Sequence, residues 1–180
     1  MLKSDTVRLR LAQPEDATAR HVWFNDPDFT RLYLGRPAAL RYRQVEEEVL
    51  LVCQSTVASG LAELAIEIPD GNRYIGNAFF RRINWQDRHA EYGIFIGPHE
   101  YWGKRLGAEA TRLMLAYGFQ ELGLHRIWLT VFTFNHRGLR CFEKCGFRQE
   151  GVFREVIYSG GVFQDVIGMS ILDHEYRSAQ

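Results

Sequence analysis

The residues best placed to do chemistry lie in the run Pro98-His99-Glu100-Tyr101-Trp102-Gly103-Lys104-Arg105-Leu106-Gly107-Ala108-Glu109-Ala110. A strand pattern ends just before this run, and helical periodicity begins inside it. Gly103 and Gly107 permit a tight turn and let a ligand come close to the backbone. The first turn of a helix leaves up to four N–H groups without intrahelical partners and carries a partial positive charge. Together these features make an anion site suited to a pyrophosphate. The run contains no Gly-Lys-Ser/Thr and no G-x-G-x-x-G, so it is neither a Walker A loop nor a dinucleotide fingerprint. By itself, a glycine-bearing turn ahead of a helix is a weak signal, because helices commonly start that way.

Other reactive groups point less clearly to a site. Cys141 and Cys145 are four apart on an expected helix, which would put two soft ligands on one face, but no further ligands sit nearby in the chain. No metal is expected, and Cys53, Cys141 and Cys145 read as reduced thiols of a cytoplasmic protein. Glu46, Glu47 and Glu48 read as a solvated helix face, with a site for a cationic substrate as the alternative. Arg81 and Arg82 read as a solvated strand end, with a local basic patch as the alternative.

These residues have to be positioned by an ordered series of elements. Val7 to Leu11 alternates as a strand, and Pro14-Glu15-Asp16 opens a helix that closes at Trp23 and Phe24 before the Asn25-Asp26-Pro27 turn. Phe29 to Pro37 fits neither period. Tyr42 to about Val57 is helical, with Val45, Val49 and Val52 on one side. Strands at Leu61 to Ile68, Tyr74 to Ile83 and His89 to Ile96 are joined by short turns, so they form an antiparallel meander.

Periodicity then changes to helical from Gly107 to Leu122, ended by Gly123, and a strand follows from Arg126 to Phe132. The strands at each end of this crossover should be parallel and adjacent. Asn135 caps a short helix that runs to about Lys144 and is ended by Gly146. Phe147 to Tyr158 and Val162 to Leu172 form a long hairpin across Ser159-Gly160-Gly161. The fold class is α/β (α+β), a mixed sheet with helices on both faces, in one domain over residues 1–180.

Composition narrows the function. The 180-residue chain is 46% hydrophobic and 24% charged, too apolar for disorder and long enough for one sizeable core. Lys plus Arg and Asp plus Glu both total 22, so no bulk positive field draws the chain to nucleic acid. No run approaches the ~18 apolar residues that span a bilayer, and no apolar targeting segment follows Met1. A soluble, cytoplasmic protein with neither nucleic-acid nor membrane partners is expected.

The chain resembles the GNAT acyltransferases, and more narrowly the ribosomal-protein and polyamine N-acetyltransferase branch. Nearly the whole chain takes part. The matching segments are Val7-Arg8-Leu9-Arg10, Asn25-Asp26-Pro27, Ala90-Glu91-Tyr92-Gly93-Ile94, Tyr101-Trp102-Gly103-Lys104, Glu121 to Arg126, Phe142-Glu143-Lys144-Cys145-Gly146-Phe147, Gly151-Val152-Phe153-Arg154 and Gly161 to Met169, in order. The resemblance implies a mostly antiparallel seven-stranded sheet whose central parallel pair splays apart. It also implies acetyl-coenzyme A as co-substrate and an amine acceptor, either a small molecule or a protein N-terminus. A homodimer is a further implication, with the terminal hairpin as candidate interface.

Carried over residue by residue, it implies a cofactor site at Trp102, Gly103, Lys104, Arg105, Leu106, Gly107 and Ala108. The pantetheine arm would pair with the strand at Ile94, Phe95 and Ile96, and Asn135 and Phe142 would lie on the neighbouring side. Without the resemblance, Ile94 and Ile96 are core residues and Asn135 is a helix cap. Two departures stand in the loop: Trp102 replaces the family's Arg or Gln, and Arg105 replaces its Gly. The amides still face the phosphates if Arg105 stays helical.

The implied reaction needs a neutral amine, reached through a general base or a water relay, and an N–H donor for the oxygen that gains charge. Glu91 is the base implied by the resemblance, with a carboxylate paired near Arg88 as the alternative. Relatives carry a tyrosine as acid where this chain has Phe142, which has no proton to give. Cys145, Tyr158 or His136 would substitute, or the thiolate leaves unaided, a thiol pKa being roughly 8.5. Cys141 is expected to point elsewhere. Phe142 also keeps open a non-catalytic acyl-coenzyme A sensing module.

Overall fold

The computed structural model describes residues 2–55 and 57–178. Eight strands form one sheet in the order β1-β2-β3-β4-β5-β6-β8-β7. They are β1 (Leu2–Lys3), β2 (Arg8–Leu11), β3 (Ala62–Ile68), β4 (Arg73–Asn84), β5 (His89–Ile96), β6 (Arg126–Phe132), β7 (Arg148–Ser159) and β8 (Val162–Leu172). Every neighbouring pair is antiparallel except β5 and β6. The expected count of seven is exceeded by β1, two residues too short to show alternation in sequence, which pairs with β2 through Leu2↔Leu9 and Lys3↔Arg8.

The helices are α1 (Asp16–Trp23), α2 (Pro27–Leu34), α3 (Tyr42–Gln54), α4 (Leu106–Ala116), α5 (His136–Lys144) and α6 (Asp173–Ser178). Much of the stretch without a sequence period is α2, and its ends explain why it forms. The Asp26 carboxylate accepts from the N–H groups of Asp28 (2.9 Å) and Phe29 (3.2 Å), Pro27 stands in the first turn, and Gly35 closes the helix at φ 78°. A Cβ at Gly35 would collide with the Phe132 ring, so this glycine also lets α2 lie close against β6. α3 stops at Gln54, short of its expected end; Thr56 lies outside the described residues. α4 ends earlier than its periodicity suggests because Tyr117–Glu121 widens into a π turn before Gly123 at φ 66°.

The two faces of the sheet have separate cores. Met114, Leu115 and Phe119 of the α4 segment pack on Phe80, Ala90, Tyr92 and Ile127. On the other face Trp23, Phe24, Phe29, Val45 and Val49 from α1, α2 and α3 cover Phe79 and Phe95. Strand alternation therefore sends Tyr92 toward α4 and Phe95 toward α1–α3. Among the described residues no helix is long and apolar enough to cross a membrane, and no group of three metal-ligating side chains occurs.

Candidate active site

The parallel pair opens where the sheet meets its helices. β5 and β6 are in register at His89↔Arg126, Ala90↔Ile127 and Glu91↔Trp128, and their pairing stops there. β6 continues with β8 as far as Phe132↔Val166, while β5 continues with β4 through Gly76↔Ile96. From Tyr92 onward, β5 thus has an unpaired edge facing a gap. The Phe95 carbonyl turns toward Gly76 of β4, so alternation leaves Ile94 and Ile96 facing the gap. The expectation that Phe95 offers its backbone there is corrected on this ground. Its ring instead packs among Phe24, Phe29 and Tyr33.

A basic cleft of about 350 Å³ runs from this gap along the loop before α4. Of the expected cofactor residues, Ile94, Phe95, Ile96, Trp102, Gly103, Arg105, Leu106, Gly107, Ala108, Asn135 and Phe142 line it. Lys104 does not: its ammonium lies 5.7 Å from the Tyr101 ring centroid. The intrahelical ladder of α4 begins with the Glu109 N–H donating to Arg105 O at 3.1 Å. Among the described residues, the N–H groups of residues 103 to 108 have no protein acceptor.

Arg105 is not helical as expected. It holds φ 65°, ψ −2° in the left-handed region, at the position where the family usually has Gly. An L-residue pays about 1–2 kcal/mol for that conformation. The turn itself is preserved, and it leads straight into the free amides.

Trp102 has a different task from the polar side chain it replaces. Its indole N–H donates to the Ile96 carbonyl at 2.8 Å, fixing the end of the open strand. Its ring stacks on His99 at 3.9 Å, and the Arg137 guanidinium lies 3.9 Å from its centroid on α5. Arg137 was missed in the sequence, as were Arg140 and Lys144. All three line the cleft from α5 at positions i, i+3 and i+7, a helical spacing that could have found them. Burial lowers the Arg137 pKa from its ordinary value. Four basic side chains line this cleft and no carboxylate does.

Cys141 also lines the cleft, contrary to the expectation that it points away, because α5 lays that face against the start of α4. Contact with the Cys145 thiol lowers the Cys141 pKa, and the same contact with burial raises that of Cys145. Asn135 caps α5 by accepting from the Gly138 N–H at 2.9 Å, and its amide donates to Leu32 O at 3.4 Å, tying α2 to the cleft wall.

A second cavity, also of about 350 Å³, lies on the α2 side of the gap and contains Glu91. The two cavities share Leu32, Tyr33, Ile94, Asn135 and Phe142. Leu32 and Tyr33 lie within Trp23 to Tyr42, the region whose sequence is expected to shape the acceptor site, on a stretch that shows no clear period. Glu91 is ion-paired, but not near Arg88, whose side chain is exposed at a turn. One carboxylate oxygen lies 2.6 Å from Arg81 Nη2 and the other 2.7 Å from Arg82 Nη1. The β4–β5 register shifts between Arg81 and Asn84, and Arg82 takes φ 52°. This bulge brings two successive residues to one carboxylate, where a regular strand would point them apart. Arg81 and Arg82 are exposed near the end of β4, as expected of a solvated strand end, and both also pair with Glu91. At about 3.3 Å per residue, Glu91 stands roughly 10 Å down the strand from Ile94.

Cys145, Tyr158 and His136 line neither cavity. Cys145 is buried, its thiol donating to Ala108 O at 3.6 Å; Tyr158 packs on Phe163 at the hairpin tip; His136 is exposed. The acidic run of α3 lines neither cavity: Glu47 pairs with Arg43 and Glu48 with Arg20.

Comparison with known proteins decides what this arrangement belongs to. The acetyltransferase (GNAT) domain family matches residues 6–148. The chain is a GNAT acetyltransferase. It is 32% identical over 177 residues to the uncharacterized N-acetyltransferase YoaA of Bacillus subtilis, covering 96% of each. It is 28% identical over 191 residues to spermidine N(1)-acetyltransferase of Escherichia coli strain K12, covering 98% of this chain and 91% of that one. The crystal structure of spermidine N-acetyltransferase from Vibrio cholerae with CoA and spermine superposes with a TM-score of 0.85 at 26% identity, over 97% of this chain and 99% of that one.

This GNAT enzyme therefore transfers an acetyl group from acetyl-coenzyme A to a primary amine, and the sensing-module alternative is not favoured. The basic cleft suits that co-substrate chemically, since unpaired amides and four cations face one another where a diphosphate would need them.

Proposed function

We propose that residues 1–180 act as one domain that acetylates a small primary amine held in the second cavity, with acetyl-coenzyme A lying along the basic cleft. The observation that carries this reading is the shared, uncharged wall of Leu32, Tyr33, Ile94, Asn135 and Phe142. A thioester placed at that wall is open to the cofactor side and to the acceptor side at once. The cavity's volume supports a small molecule over a protein N-terminus. So does the likeness to the spermidine acetyltransferases of Escherichia coli and Vibrio cholerae.

Acetyl-coenzyme A supplies the activated acetyl carbon. The amine nitrogen bonds to that carbon, the carbon–sulfur bond breaks, and coenzyme A leaves as thiolate. The Ile94 N–H, on the open edge of β5, donates to the oxygen as it gains charge. The amine's proton leaves through water. Glu91 is too far down the strand to take it directly from an amine at Ile94; its carboxylate oxygens keep lone pairs for a relay water. Phe142 gives the leaving group no proton, and the thiolate departs unaided.

The enzyme works in the cytoplasm, a placement supported by its three free thiols. Pairing of two copies at the β7 edge is supported by exposed Val152, Phe153 and Val156; sedimentation that finds monomer alone at tens of micromolar removes it. The test of the main reading is thiol release by purified protein with acetyl-coenzyme A and a panel of small amines and short peptides. Turnover of small amines is expected. Tight cofactor binding with no turnover of any amine would overturn the reading.

A further inference from the structure

We infer that the acceptor carries an anionic group, such as a carboxylate, at the end away from its reacting amine, and that the second cavity discriminates against polyamines. This rests on the reading that the second cavity takes the acceptor. Among the described residues, the charged groups lining that cavity are Arg81 and Glu91.

The charge of the Glu91 carboxylate is already matched. Its side chain is 5% exposed, and each oxygen is already engaged by a guanidinium, Arg81 on one and Arg82 on the other. Two positive charges thus meet one negative charge. Glu63 and Glu48 share one guanidinium, that of Arg20, at 2.9 and 3.1 Å, and neither of them lines the cavity. A second ammonium on the acceptor would meet the Arg81 guanidinium at the cavity wall, where Glu91 is already shared between two guanidiniums, and the repulsion grows as water is excluded.

The same arrangement attracts an anion. Arg81 spends one side-chain hydrogen bond on Glu91, while a guanidinium has five N–H donors. Its side chain is 50% exposed, so donors remain for an incoming carboxylate, the geometry a guanidinium fork matches best. Distance agrees as well. Arg81 and Glu91 are register partners, and Glu91 lies roughly 10 Å from Ile94 along the strand. The Arg81 side chain covers part of that distance, and a tail of a few carbons on an amine at the shared wall covers the rest.

A matched series of four-carbon probes tests this: 4-aminobutanoate, butylamine and 1,4-diaminobutane, ending in carboxylate, methyl and ammonium. With the purified full chain and saturating acetyl-coenzyme A, kcat/KM should fall in that order, by at least tenfold from first to last. Arg81→Gln should cut the ratio of the first to the last at least tenfold, and Arg81→Lys should restore part of it. Unchanged coenzyme A affinity in both variants shows that the fold and the basic cleft are intact. Calorimetric binding of the same probes to the coenzyme A-saturated protein should show the same order without requiring turnover.

Equal or better use of 1,4-diaminobutane, or a ratio indifferent to Arg81→Gln, overturns the inference while leaving acetyl transfer in place. If no amine releases thiol, the proposed function fails. The calorimetric order then decides the charge preference by itself.

Discussion

The basic cleft and the second cavity are of similar size and share one wall, yet they treat charge in opposite ways. The cleft gathers Arg105, Arg137, Arg140 and Lys144 with no carboxylate among its lining residues. The cavity holds Arg81 against Glu91, with Arg82 reaching the same carboxylate. Uncompensated cations beside free helix amides hold a polyanion. A carboxylate already gripped by guanidiniums keeps its charge but offers little to a cation. Proximity to the chemistry therefore does not decide what a cavity takes; the state of pairing of its charges does.

The strongest way to break this contrast is to remove cations from the cleft alone. Arg137→Ala with Arg140→Ala should weaken coenzyme A binding about 100-fold, since a charged hydrogen bond is worth about 1.5–3 kcal/mol. Isothermal titration checks it. The acceptor KM should stay within threefold, and an equal rise there would show that the two cavities do not act separately.

A change in the cavity should have the complementary signature. Glu91→Gln should lower kcat about tenfold by disturbing the proton relay, with coenzyme A affinity unchanged. Steady-state kinetics with butylamine reads this, and unaltered kcat removes Glu91 from the relay.

A smaller effect separates the cavities by labelling. Contact with the neighbouring Cys145 lowers the Cys141 pKa, so its reactive thiolate forms at lower pH than an ordinary cysteine's. Iodoacetamide should modify Cys141 in the cleft, and coenzyme A should slow that several-fold while acceptor amines do not. Peptide mass spectrometry follows the site. Protection by the amine instead of the coenzyme would assign Cys141 to the wrong cavity.

The smallest effect is expected at Arg105. Arg105→Gly relieves a left-handed residue but frees the unfolded chain, so thermal denaturation should report a change within about 1 kcal/mol. Coenzyme A affinity should move less than threefold if the turn matters more than the guanidinium. A loss beyond tenfold would make Arg105 a phosphate ligand in its own right.

Much of this architecture is legible in the chain. The bounds of β5, β6, β8 and α5 follow from apolar runs set between glycine, proline and asparagine signals, because strand and helix periods are local properties. The loop of Gly103 to Ala108 is legible for the same reason. α2 is less so: its eight residues carry little periodicity, and its cap and its close seat on Phe132 hold it in place.

What the sequence by itself determined is the order of elements, the turn before α4, and the residue types from which an anion site and an amine chemistry can be built. Tertiary structure alone decided that β5 and β6 part after Glu91, that a bulge turns Arg81 and Arg82 onto one carboxylate, and that α5 brings three cations across from the loop. The reason is physical. Backbone preference and amphipathic period act over a few neighbouring residues, whereas the charge balance of a cavity is a sum over side chains that only packing brings within a few ångströms of each other.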